Sequence, residues 1–136
     1  MRALIFAAIL LNTTLAAKAD EWDFAAQHKQ HCSVGGQDVM NVCLANAYRD
    51  TNQRLSALYE QLQVVLEDGT SLRKAQATWL RFRDQTCEYE VSGLVKDNAG
   101  LYAYAKHACM IDITEKRIRD LKEYLSWDCN GCPGRK

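Results

Sequence analysis

The sequence predicts an all-α fold, a small disulfide-stapled three-helix bundle whose first two helices form an antiparallel hairpin. Three observations lead there. Pro133 is the only proline, so residues 20–132 lack the side chain most damaging to a helix interior. Apolar residues recur at alternating steps of four and three, whereas a strand would alternate every second residue. Six cysteines follow a segment that reads as a secretion signal, which points to an oxidising compartment.

That signal covers residues 1–19. Arg2 supplies the positive start, Ala3 to Leu15 the apolar stretch, and Ala17-Lys18-Ala19 the small-x-small pattern of a cleavage site. The stretch is short for a bilayer span, which favours cleavage over anchoring. No cysteine stands at the cleavage point to take a lipid. The expected layout is a signal peptide at 1–19, an N-terminal segment at 20–37, a helical domain at 38–126, and a tail at 127–136. A periplasmic or secreted protein is expected, with no integral membrane segment after cleavage.

The first helix is expected from about Asp38. Its seam is Leu44, Tyr48, Thr51, Leu55, Leu58, Leu62 and Val65, widened by Tyr59 and Leu66. Asp68-Gly69 offers a stop, because glycine tolerates a left-handed helix end. Thr70 or Ser71 can cap the second helix, with the seam Leu72, Ala75, Trp79, Phe82 and Thr86. So short a turn predicts the hairpin. Gly93 and Gly100 bracket the best loop candidate. The third helix carries Tyr104, Ala108, Ile111, Thr114, Ile118, Leu121 and Leu125 on one stripe. Asp112 with Lys116, and Glu115 with Arg119, are expected as surface pairs on its wet side.

Composition excludes some functions. The chain has 17 basic and 17 acidic side chains, and losing residues 1–19 removes two bases, Arg2 and Lys18. A nearly neutral domain has no broad attraction for nucleic acid or anionic lipid. No Gly-rich phosphate loop, Ser–His–Asp pattern or zinc-protease helix motif is present. No enzyme activity and no cofactor are expected.

Two strings carry a resemblance. The second helix reads Leu72-x-x-Ala75-Gln76-x-x-Trp79-x-x-x-Arg83-Asp84-x-x-Cys87, and later comes Cys109-x-x-x-x-Thr114-x-x-Arg117-x-x-x-Leu121. In this order they resemble the LprI-like family of secreted helical proteins, named for a lysozyme inhibitor. Cys32 and Cys43 look like that family's upstream cysteines. Where the family usually has Asp-x-x-Leu-Asn-x-x-Tyr, this chain reads Asn52-x-x-Leu55-Ser56-x-x-Tyr59. The resemblance implies lysozyme inhibition.

The matched residues also have a plain physical reading. Arg83 can lie over the Trp79 indole one turn away, with Gln76 on nearly the same side. Asp84 could pair with Arg117 across two helices. An internal network of Gln76, Trp79, Arg83, Asp84, Thr114 and Arg117 is favoured over a binding surface.

Cysteine pairing stays open. Cys87 with Cys109 would close the loop between helices two and three, and Cys32 with Cys43 would tie the N-terminal segment to helix one. These local pairs are preferred over the rival Cys43–Cys87 with Cys32–Cys109, although spacing does not decide. Cys129-Asn130-Gly131-Cys132 could act as a redox dithiol. It follows the last helix without a strand–turn–helix context, so a tail disulfide is favoured. His28 and His31 with that pair would make a zinc set, but the spacing is tight and oxidation competes for the thiols. His107 reads as a packing residue.

The expected function is a binding protein resembling LprI-type inhibitors, one that occludes a glycan-hydrolase cleft without catalysis. Its partner would be a lysozyme or another envelope protein. Candidate contacts are Asp84, Glu88, Glu90, Asp97 and Tyr102, around the Gly93–Gly100 loop. The alternatives are a non-inhibitory envelope adaptor and, further off, a thiol–disulfide redox protein using Cys129 and Cys132. Oligomeric state is not readable from sequence.

Overall fold

A computed structural model describes residues 31–94 and 98–136. Among them, three long helices form the molecule: α1 (Gln37–Val65), α2 (Thr70–Glu90) and α3 (Ala99–Leu125). A short 3-10 turn, Ser92–Leu94, follows α2. No helix among the described residues is long and apolar enough to cross a membrane. The expected signal peptide and most of the N-terminal segment lie outside the described residues, as do His28 and Asp97.

α1 and α3 make the main body, running parallel along most of their length. Leu44, Ala47, Ala108 and Ile111 pack together near the start of α1, with Cys32. Leu55, Leu62, Ile118 and Leu121 fill the other half. These are largely the seams expected from the four-three spacing. Burying one such side chain contributes about 1.5–3 kcal/mol.

α2 returns antiparallel to α1 after a tight turn, yet it packs chiefly on α3. Its seam differs from the expected one. Phe82 and Ala75 point outward, and the buried positions are Gln76, Arg83 and Cys87, with Leu72 and Trp79 half-buried between them. The helix is rotated because its inward polar groups find partners on both neighbours. An apolar pattern alone passes over such positions.

The α1–α2 turn also differs from expectation. α1 ends with Leu66 in an extended conformation, and Gly69 has φ −83°, so no left-handed cap is used. A side chain at Gly69 would collide with Gln63, whose Nε2 donates to the Gly69 carbonyl at 3.2 Å. The glycine serves close approach. The Thr70 hydroxyl, with the Thr70 amide that donates to Asp68 Oδ1 at 2.8 Å, lowers the Asp68 pKa, while α3 is capped by Asn98, which accepts from the Leu101 amide.

Three disulfides staple the helices: Cys32–Cys43, Cys87–Cys109 and Cys129–Cys132. They are the local pairs, and the rival pairing does not occur. Cys87–Cys109 joins α2 to α3 beside Met110 in the core. After α3 the chain turns back, and its last residues lie along the α1–α2 turn.

Candidate functional site

Two groups of residues stand out, an interior polar network and an exposed end. The network centres on Arg83, only 5% exposed. Its Nη1 donates to Asn52 Oδ1 of α1 at 2.9 Å and to Thr114 Oγ1 of α3 at 3.2 Å. Nε and Nη2 meet Asp84 Oδ1 at 3.0 and 2.9 Å. Trp79 and Tyr48 offer ring faces at 5.3 and 5.7 Å. One guanidinium thus joins all three helices.

Arg117, 8% exposed, is the second interior cation. It donates from Nε to Gln76 Oε1 at 3.0 Å and lies 5.7 Å from the Trp79 and Tyr124 rings. The suggested Asp84–Arg117 pair is therefore replaced. Asp84 sits one residue from Arg83, with its side chain 58% exposed, and Gln76 is the group that faces Arg117. An amide and two ring faces solvate a buried cation without the desolvation cost of a second buried charge.

Glu115 corrects the surface pairing expected with Arg119. It is 4% exposed, bound to Arg54 Nη1 at 2.6 Å and Thr51 Oγ1 at 3.3 Å, both from α1. The signal was legible: Ile111, Thr114, Glu115 and Ile118 are spaced three, one and three apart, within the width of one helix stripe.

The exposed end is where α2 stops and α1 and α3 begin. Gln37 Nε2 donates to the Gly100 carbonyl at 3.4 Å, holding the two helix starts side by side. Glu88 accepts from Tyr102 Oη at 2.7 Å and from Lys106 Nζ at 2.5 Å, which ties α2 to α3 beneath the loop. The Lys106 ammonium and the Tyr102 hydroxyl lower the Glu88 pKa, and the carboxylate in turn raises that of Lys106. Tyr102 is thereby a loop clamp. The outward aromatic at this end is Tyr89, 81% exposed and absent from the sequence-derived candidates. Val34, Val39, Val42 and Leu101 are exposed there too.

Charge is uneven along the bundle. Among the described residues this end presents Asp38, Glu88 and Glu90, while its cation Lys106 is already engaged by Glu88; Asp84, paired to Arg83, and the exposed Arg49 lie further along the bundle. The opposite end mixes both signs, with Arg73, Lys74, Lys122 and Arg135 among Glu67, Asp68, Glu123 and Asp128. An acidic rim around exposed apolar side chains suits contact with a cationic protein surface.

No group of three or more His, Cys, Asp or Glu among the described residues is placed to hold a metal, and the six cysteines are all in disulfides. His107 packs on Tyr48 at 5.6 Å with its Nδ1 buried and unpartnered, and burial, helped by neighbouring Lys106, lowers its pKa.

Fold and cysteines define the class: a small, disulfide-stapled α-helical protein whose bridges fit an oxidising compartment. The family model described as "Lysozyme inhibitor LprI" matches residues 29–121, and the chain belongs to that family. An uncharacterized protein of Rhizobium meliloti (strain 1021) is 24% identical over 101 residues, covering 63% of this chain and 71% of the relative. No solved structure matches.

Proposed function

We infer that this is a periplasmic or secreted binding protein that inhibits a lysozyme-type glycan hydrolase by covering its cleft, without catalysis. Family membership over residues 29–121 carries this reading. The acidic, apolar-studded end of the bundle supplies the contact surface. There Tyr89 and Leu101 reach into the cleft, while Glu88 and Glu90 face a basic enzyme rim, with Asp84 further along the bundle and Asp97 of the intervening loop proposed to join them. Glu88, Tyr102 and Lys106 hold the loop base rigid, so little ordering is required on binding.

The test is a titration of the oxidised protein into a lysozyme assay on bacterial cell walls. Hydrolysis slows to a saturating limit, and Tyr89→Ala or Glu90→Lys weakens inhibition by about tenfold or more. If several lysozyme classes are unaffected, the reading fails and an envelope adaptor using the same surface takes its place.

A further inference from the structure

The terminal Cys129-x-x-Cys132 pair belongs neither to the core nor to the candidate binding end. Its loop is built rather than loose. Cys132 N donates to the Cys129 carbonyl at 3.1 Å, and Gly131 adopts φ +94°, a conformation that L side chains rarely take. The loop turns the last residues back onto the α1–α2 turn. Glu67 N donates to the Gly134 carbonyl at 2.9 Å, and Lys136 N donates to the Val65 carbonyl at 3.0 Å. The Glu67 carboxylate lies close over Gly134, and a Cβ there would push it aside. Arg135 Nη1 donates to the Tyr124 and Trp127 carbonyls at 3.3 and 3.2 Å, closing the open end of α3.

Beneath this tail lies a cleft of about 260 Å³, lined by Leu62, Leu66, Leu72, Tyr124, Trp127 and Pro133. The tail supplies Pro133 to its wall and covers Leu66 through the Arg135 bridge. The three disulfides differ sharply in access. Cys87 and Cys109 are both buried and Cys32–Cys43 has one buried and one half-exposed partner, whereas Cys129 is exposed and Cys132 half-exposed. Thiol–disulfide exchange needs a thiolate to reach a sulfur in line, so access ranks the three bonds.

We propose that Cys129–Cys132 is a redox-released clasp: a dithiol reductant opens it before the other two disulfides, frees the tail from the α1–α2 turn, and bares the apolar cleft. One reductant thiolate attacks Cys129 Sγ, forming a mixed disulfide and expelling the Cys132 thiolate. The reductant's second thiolate then attacks its own sulfur in that mixed disulfide and releases the Cys129 thiolate. The protein gains two electrons and, from solvent, two thiol protons; the reductant leaves as a cyclic disulfide. The clasp sits opposite the α2–α3 end, so it stands or falls independently of lysozyme inhibition.

The experiment is graded reduction of the full oxidised protein with dithiothreitol, with alkylation and peptide mass analysis to read each cysteine. Cys129 and Cys132 are expected to open at about tenfold lower reductant, or less, than the other four. Across that window, hydrogen exchange at the Glu67 and Lys136 amides rises by about tenfold or more, while amides of α1 and α3 near Leu55 and Ile118 stay protected. Anilinonaphthalene sulfonate fluorescence increases as the cleft is bared. A Cys129→Ser/Cys132→Ser variant shows the fast exchange and the dye signal without reductant. Opening of all three disulfides together overturns the proposal. So does unchanged Glu67 and Lys136 protection in either the reduced protein or the variant.

Discussion

Arg83 and Asn52, 31 residues apart in the chain, meet at 2.9 Å in the interior, where a cation with little exposure receives an amide oxygen from α1. The family usually places an aspartate at that position. Here the formal counter-charge comes from the neighbouring Asp84, whose side chain is largely in water. The guanidinium is fully engaged but its charge is only partly balanced inside the bundle.

Asn52→Asp therefore supplies a half-buried carboxylate at hydrogen-bond distance. A charge-assisted bond replaces a neutral one, and stability is expected to rise by about 1 kcal/mol. Urea unfolding of the oxidised variant measures it. An unchanged or lower midpoint would mean that Asp84 already balances Arg83.

The Glu115–Arg54 pair predicts an asymmetry. Arg54→Ala leaves a buried carboxylate with Thr51, whereas Glu115→Gln leaves no buried charge. Because the Arg54 side chain is 40% exposed and water can compensate, its loss is expected to cost about 1–3 kcal/mol, and Glu115→Gln less. A double-mutant cycle separates the two, and equal costs would sink the argument.

Acid weakens the fold in two windows. Burial lowers the folded pKa of His107, so below the ordinary imidazole value of 6.5 the unfolded chain binds the proton more readily and stability falls with pH. Glu88 is also lowered, and its contribution is present above the ordinary glutamate value of 4.5 and lost as pH drops through the folded value. Melting temperature measured from pH 7.5 down to about 2.5 should decline in both stretches. His107→Gln should flatten the upper one, and a slope left intact would assign it to another group.

The disulfides should contribute unequally. Cys87 and Cys109, 22 residues apart and in the core, are expected to contribute about 3 kcal/mol by loop closure. Their double alanine variant should unfold at markedly lower denaturant. The Cys129→Ser/Cys132→Ser variant should move the global midpoint much less, since the loop it closes is short.

Much of this was legible in the residues. Leu44, Thr51, Leu55 and Leu62 recur at helical steps on α1, and Ile111, Thr114, Ile118 and Leu121 do so on α3, because apolar burial sets both stripes. α2 was harder to read. Its inward face is built from Gln76 and Arg83, whose burial depends on partners 31 to 41 residues away, and local periodicity carries no record of them. Glu115 failed for a related reason, since a plausible partner at four residues hid the true one on α1. Tyr89 could not be ranked without knowing which side of α2 the other helices leave open.

The lean attachment of α2 has an evolutionary consequence. Of its 21 residues only Gln76, Arg83 and Cys87 are buried, and each is anchored through a polar bond or a sulfur bridge. Leu72 and Trp79 pack on the core beside them, and the outward positions that remain can drift without unseating the helix. A lineage can thus rewrite its outward panel, Leu80, Phe82 and Tyr89 included, on the same chassis. Relatives as distant as 24% identity are what such freedom would leave behind.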